Sequence, residues 1–285
     1  MKSITTILKI VISFIWKNAL DIVFCVAAYF LVSSKHITKA VRPEVVFLNV
    51  GQGDSILVQQ DNFQVLFDGG PDDSVIYELA KHMPLFDKKI EVLVLTHPHA
   101  DHINGLMLVL QEYKVDKIII NRIEYDNKAY DHLLDKYSGK IVEVSAGDYM
   151  TYRDLDFVVL FPFFYDYEDD NMQQENNINN ESIVTLLTIK NNKILLMGDA
   201  EKELEEKLLN YPIIRDINVL KVGHHCSKTS SSEMFLKITN PKIAICSCSE
   251  KNNFGHPSSE TLEKLKNVNA QVYLTFEEGN IVFRY

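Results

Sequence analysis

Residues Glu91 to Leu110 read EVLVLTHPHADHINGLMLVL. The apolar run Val92–Leu95 stops at Thr96-His97-Pro98-His99-Ala100-Asp101-His102, and apolar residues resume after Gly105. A short apolar, β-branched run bounded by polar residues reads as a buried strand. Leu106–Leu110, running on to Tyr113, reads as the buried part of a helix. Three imidazoles and a carboxylate therefore crowd a strand-to-helix turn. Histidine is the commonest metal ligand, and imidazole with carboxylate suits zinc, manganese or iron. His97 and His99, two apart, point the same way from an extended segment. Asp101 and His102 follow on the turn. One cation can take the first pair and a second the later pair. Paired cations are a recurrent device for hydrolysing phosphoesters. A polar loop with idle histidines is the bland alternative, and the density of ligand-type residues argues against it.

The flanks extend the pattern. Phe47-Leu48-Asn49-Val50-Gly51-Gln52-Gly53-Asp54-Ser55, Phe67-Asp68-Gly69-Gly70, Met197-Gly198-Asp199-Ala200, Leu220-Lys221-Val222-Gly223-His224-His225 and Phe254-Gly255-His256-Pro257 occur in that order. With the HxHxDH run they resemble the metallo-β-lactamase superfamily. Within it they are similar to the hydrolase domain of the ComEC competence proteins and its stand-alone relatives, over about residues 43–285. The resemblance implies an αββα sandwich, two mixed sheets with helices outside. It implies two divalent cations, zinc or manganese, held by His97, His99, Asp101, His102, Asp199 and His225, with Asp199 bridging. It gives Asp68 a supporting role behind a ligand histidine; an Asx-type turn is the local alternative. Asp101, His224, His225 and His256 are the expected catalytic groups. One of His224 and His225 reaches the site and the other packs beneath it; the sequence does not choose which.

Two departures matter. Relatives usually supply another histidine before the strand Ile183–Ile189, where this chain offers Asn179, Asn180, Glu181 and Ser182. That puts occupancy of the first metal position in question. Relatives usually have glycine where Cys226 stands, so its side chain would narrow the pocket or add a soft ligand.

The net charge of −10 argues against a broad basic surface. It disfavours a DNA-coating protein, but not a nuclease whose cations are the local positive charge. Cys25, Cys226, Cys246 and Cys248 form no zinc-ribbon spacing and no clear disulfide framework. Cys246 and Cys248 read as small core residues, with metal ligation the alternative.

Residues 4–34 are mostly apolar, with charges at Lys9, Lys17 and Asp21. A bilayer-spanning helix needs about 20 residues; Ile10–Phe30 or Ala19–Ser34 would serve. The expectation is a single-pass membrane segment with its linker over residues 1–42, and a catalytic domain over 43–285. A signal peptide and an interfacial helix are the competing readings. The side of the membrane and any protein partners stay open.

Farther along, Gly51-Gln52-Gly53-Asp54 reads as a structural hairpin turn; a phosphate cradle is the alternative, though it lacks the P-loop lysine. His82 reads as a non-catalytic cation in the last turn of a helix, set against its dipole, and His132 as a surface residue of a short helix. Asp166–Asn180 is rich in asparagine and acid and reads as a mobile surface loop. Glu201–Leu209 reads as an amphipathic helix whose acids form a solvated face. His256 lies in a loop after the strand Lys242–Ser247, as a metal ligand, a substrate contact or a cap. Val272–Phe276 and Asn280–Phe283 read as a closing hairpin.

The expected function is metal-dependent hydrolysis of a phosphodiester in nucleic acid or a nucleotide. Hydrolysis of an amide, lactone or thioester, and a non-catalytic membrane-tethered binding module, are the alternatives.

Overall fold

The computed structural model describes residues 42–163 and 177–285. The expected membrane segment and most of Asp166–Asn180 lie outside the described residues. Among the described residues, no helix is long and apolar enough to cross a membrane.

Two seven-stranded sheets face each other. The first contains β1 (Glu44–Phe47), β2 (Ile56–Gln60), β3 (Phe63–Phe67), β4 (Lys89–Leu95), β5 (Lys114–Ile120) and β6 (Ile141–Glu143) in that order. The second contains β7 (Tyr149–Tyr152), β8 (Leu155–Phe161), β9 (Val184–Ile189), β10 (Asn192–Leu196), β11 (Val219–Lys221), β12 (Ile243–Cys246) and β13 (Gln271–Leu274). The last strand, β14 (Ile281–Arg284), returns to the first sheet and pairs antiparallel with β1. In each sheet an antiparallel stretch gives way to a parallel one: β3–β6 in the first, β10–β13 in the second.

Alternation along the strands explains the layering. Val45 and Phe47 face the space between the sheets, whereas Val46 and Leu48 face the outer layer. On β10, Ile194 and Leu196 point inward and Leu195 outward. Strands apolar on both faces must be covered on both. The outer cover of the first sheet is α1 (Ser74–His82), α2 (Ala100–Glu112) and α3 (Lys128–Lys136). That of the second includes α4 (Lys202–Leu208), α5 (Glu233–Thr239) and α6 (Ser259–Asn267). Three apolar layers, between helices and sheet, between the sheets, and between sheet and helices, make the αββα sandwich.

The closing hairpin is corrected. β13 pairs in parallel with β12, while β14 pairs with β1 in the other sheet. A short helix, α7 (Thr275–Glu278), carries the chain between them. The turn signal at Glu277-Glu278-Gly279 is real, but the flanking strands find separate partners. The asparagine-rich segment is corrected at its end: residues 178–181 form a 3₁₀ turn, and Asn179 and Asn180 are buried.

Candidate metal centre

The site lies at the carboxyl ends of β3, β4, β10, β11 and β12, where open α/β sheets place their ligands. β4 ends at Leu95, Thr96 and His97 follow, and His99 caps α2 in extended backbone; Asp101 and His102 occupy the first turn of α2. Helix α2 is pressed onto the Asp68-Gly69-Gly70 turn. Gly69 N–H donates to the His102 carbonyl, and Gly105 N–H to that of Gly70. Neither Gly69 nor Gly105 has room for a Cβ. The second sheet closes the site. Ile183 N–H donates to the Thr96 carbonyl, and the β10 end delivers Asp199.

Two groups of potential ligands meet at Asp199. One is His97, His99 and Asp199; the other is Asp101, His102, Asp199 and His225. Asp199 Oδ2 lies 3.7 Å from His97 Nε2, 3.4 Å from His102 Nε2 and 3.3 Å from His225 Nε2. His225 Nε2 is also 3.3 Å from Asp101 Oδ2. A tetrahedral ion with bonds of about 2.0–2.1 Å holds its ligand atoms about 3.3–3.4 Å apart. The spacings of Asp199 and Asp101 to His102 and His225 match the edges of such a coordination shell, and that to His97 is slightly longer. His102 Nε2, His225 Nε2 and Asp199 Oδ1 are buried without a hydrogen-bond partner. Orphaned buried polar atoms are costly, and here they converge. The residues present fit divalent cations.

Three of the ligand rings are held from behind. His102 Nδ1–H donates to Asp68 Oδ2 at 2.8 Å, and Thr96 fixes Asp68 by donating from both N–H and hydroxyl. His225 Nδ1–H donates to the Ser247 carbonyl at 2.9 Å. His97 Nδ1 sits between the Thr96 and Ser182 hydroxyls, at 3.1 and 3.2 Å. For His102 and His225 such partners fix the tautomer that leaves Nε2 free, whereas His97 Nε2 lies 3.0 Å from His99 Nδ1. Ser182 stands in the stretch where relatives carry a histidine. It supports His97 and also accepts from Asp199 N–H.

The electrostatics suit cations. Burial pushes His102 down, but the Asp199 and Asp68 carboxylates win and hold it well above the usual histidine value. His225 follows the same course under Asp199 and Asp101. Burial raises Asp199, yet His225 and His102 hold it well below the carboxylate range. Asp101 is likewise drawn to about 2, against burial, by His225 and His102. Burial, then the neighbouring histidines, lower His97. The carboxylates thus stabilise positive charge here, whether protons or metal.

His224, His225 and Cys226 are consecutive left-handed residues, with φ of 47°, 52° and 63°. Non-glycine residues adopt this region at a cost. The turn points His225 inward and sends His224 to the rim. His224 Nδ1 sits 2.8 Å from Glu201 Oε1, and its ring is 5.1 Å from that of His256. So the second histidine does not pack beneath the site. Cys226 is corrected too: it forms a disulfide with Cys246, Cα atoms 5.5 Å apart, and offers no thiolate to a metal. Cys248 is free and buried. His256 is outside both ligand groups. Burial, then His224 and His225, hold it down to about 4, so its ring is neutral at pH 7. Gln52 Nε2 lies 3.4 Å from its Nδ1.

Four charged residues escaped the sequence reading. Asp54, from the glycine-rich turn, is buried and 3.5 Å from His225 Nδ1. Its other oxygen meets Lys221 Nζ at 2.7 Å, and Lys221 is fully buried. Glu201 and Glu205 do not belong to a solvated face. Glu201 grips His224, and Glu205 accepts from Ser231 N–H and Ser232 N–H at the start of α5. A charge beside a glycine turn or inside an apolar strand was the available signal.

The profile of the Metallo-beta-lactamase superfamily matches residues 48–250. The chain belongs to that superfamily. It is a metal-dependent hydrolase by family, with the His/Asp cluster as its metal site. It is 31% identical to ComE operon protein 3 of Bacillus subtilis over 85% of its own length and 33% of that protein's. It is 28% identical to Recombination protein 2 of Haemophilus influenzae, over 84% of its length and 28% of the relative's. It thus spans about a third of these curated relatives. The metallo-beta-lactamase fold protein YhfI from Bacillus subtilis superposes with a TM-score of 0.57 at 14% identity, over 85% of this chain and 100% of YhfI. At that identity the likeness shows the fold alone.

Proposed function

We propose that the domain is a phosphodiesterase using two divalent cations, zinc or manganese, on single-stranded nucleic acid or nucleotides. The carrying observation is Asp199, whose carboxylate belongs to both ligand groups. When bound, such a pair of cations supplies Lewis acidity toward phosphoryl oxygens and a strong nucleophile at neutral pH. The chain's residues do the rest. Asp199, common to both ligand groups, would help hold both cations. Asp68 and the Ser247 carbonyl lock His102 and His225. His224, engaged at Nδ1 by Glu201, keeps Nε2 for a phosphoryl or leaving oxygen. Neutral His256 can hydrogen-bond the same group. A relative named for recombination supports a nucleic-acid substrate. With a net charge of −10, short single strands should be better substrates than long duplex.

The test is the purified chain with Mn²⁺ or Zn²⁺ on single-stranded DNA, duplex DNA, RNA, bis(p-nitrophenyl) phosphate and a β-lactam. Cleavage of the phosphodiesters is expected; hydrolysis of the β-lactam alone ends the reading.

The apolar composition of residues 4–34 supports attachment to a membrane in a single pass. The Cys226–Cys246 disulfide favours an oxidising compartment for the domain. Full-length, uncleaved protein recovered as a soluble monomer without detergent refutes the attachment.

A further inference from the structure

Ring contacts run unbroken across the site. They start at Tyr125, 5.5 Å from His99, pass through the imidazoles of the metal cluster, and end at His256 and Phe254. The cluster is therefore flanked by an aromatic ring at each end.

Phe254 is 68% exposed, and its ring lies 5.9 Å from that of His256 with the planes 26° apart. One exposed phenylalanine is ordinary. This one is held out by a polar scaffold. Phe254 N–H and His256 N–H both donate to Asn252 Oδ1, at 3.0 and 3.1 Å. Asn252 Nδ2 donates to the carbonyls of Ser249 and His256. Ser249 N–H donates to Gln52 Oε1 at 3.3 Å, tying the loop to the glycine-rich turn. The loop's hydrogen bonds present a flat apolar face beside His256. At the other end, Tyr125 is half-buried, on the segment that Asn127 ties to the ligand turn through the Pro98 carbonyl.

We infer that Phe254 and Tyr125 stack the nucleobases on either side of the scissile phosphate, so that the site takes a single-stranded stretch of nucleic acid. The inference rests on the phosphodiesterase reading and adds the residues that would hold the bases of its substrate. Charge supports it. A chain of net charge −10 has little general attraction for a polyanion away from its bound cations, so a source of affinity indifferent to charge would add to theirs. Base–aromatic stacking is such a source, worth about 1–3 kcal/mol per base and tolerant of sequence. Bases inside a duplex are already stacked and closed to these rings, which selects single strands.

The test is binding by the full-length, metal-loaded chain at fixed salt, read by fluorescence anisotropy. The probes are a labelled thymidine hexamer with cleavage-resistant phosphorothioate links and the same backbone made abasic. Wild type should prefer the thymidine strand. Phe254→Ala should raise its Kd by about fivefold to about a hundredfold, as the stacking energies imply, and shrink the preference over the abasic strand. Phe254→Trp should restore both. Phe254→Leu, apolar without a π face, should resemble alanine. Tyr125→Ala should weaken binding and Tyr125→Phe retain it. A wild type that ignores the bases, or a Phe254→Leu protein that binds as wild type does, overturns the inference. Cleavage is read separately. A strand bound through its bases yet never cut counts against the phosphodiesterase reading; a strand cut equally with and without bases counts against stacking.

Discussion

The first sheet contributes its ligands from one turn. His97, His99, Asp101 and His102 all follow β4 within a few residues. The second sheet contributes from separate strand ends: Asp199 after β10, His224 and His225 after β11, His256 beyond β12. The two sheets share a plan, antiparallel strands passing into parallel ones, and both end at the same crevice. They differ in how the metal groups are assembled. The first half carries its donors on a helix start braced by Asp68 and by the glycine contact of α2. The second half relies on a carboxylate common to both ligand groups, a left-handed turn fastened by the Cys226–Cys246 disulfide, and buried charges behind it. A contiguous donor set is pre-organised by local geometry; a dispersed one depends on long-range contacts that themselves have to be stabilised.

The sharpest way to break the comparison is at Asp199, where the halves meet. Asp199→Asn is nearly isosteric but removes the charge. Activity should fall by about a hundredfold or more, as when other charge-stabilising groups are removed, while the fold is kept. Metal analysis should show both positions weakened. His99→Ala should weaken only the position shared with His97. Equal phosphodiesterase rates for wild type and Asp199→Asn, with full metal content, would contradict the bridging role.

Legibility followed the same division. The HxHxDH turn was readable because its donors are neighbours and its strand and helix are set by local pattern. Asp199 and His225, which join the ligand groups, came into view only through ordered motifs resembling a family. What was misread depended on which segments meet in space. Lys221 sits in an apolar strand, and nothing local says that its ammonium lands on Asp54. Glu201 and Glu205 fit a helix-surface pattern, yet His224 and the start of α5 come down upon them. Cys226 and Cys246 are 20 residues apart and meet because the histidine turn folds back on the end of β12. β13 and β14 flank a sound turn signal but separate because β1 leaves an open edge on the first sheet.

Acid should expose the competition between protons and metal. His102 and His225 are held above the usual histidine range by the carboxylates around Asp199, against the opposing effect of burial. In chelator-treated protein, their raised values contribute stability that is fully present below about pH 6.5, the ordinary value, and is lost as pH rises through the folded ones. Metal requires the unprotonated rings, so its contribution has the opposite sign and grows with pH. Each displaced proton changes metal affinity by about tenfold per pH unit, about 1.4 kcal/mol. The Tm gap between Zn²⁺-loaded and chelator-treated protein should therefore widen from pH 6 to pH 8. A gap that narrows over that range would refute the ligand assignment of these two rings.

The smallest expected effect separates support for a metal from support for a substrate. Asp68 and Glu201 each hold a histidine Nδ1 at 2.8 Å, one in each half. Asp68 is fully buried behind His102, a ring in the ligand groups. Glu201 stands behind His224, which belongs to neither group. It is ionised at neutral pH: burial raises its carboxyl, but hydrogen bonds from His224 and Asn179 draw it to about 2. Asp68→Asn should weaken metal affinity by about tenfold to a hundredfold, the usual consequence of losing a partner behind a ligand. Glu201→Gln keeps the shape and replaces a charge-assisted hydrogen bond with a neutral one. It should leave metal affinity and Tm close to wild type and lower turnover by about tenfold, as expected for about 1.5 kcal/mol. Metal titration and steady-state kinetics on the same two proteins decide it. If Glu201→Gln loses metal as Asp68→Asn does, His224 belongs to the metal shell. If turnover is unchanged, the rim histidine has no part in the reaction and the catalytic work of the second half falls to His225 and Asp199.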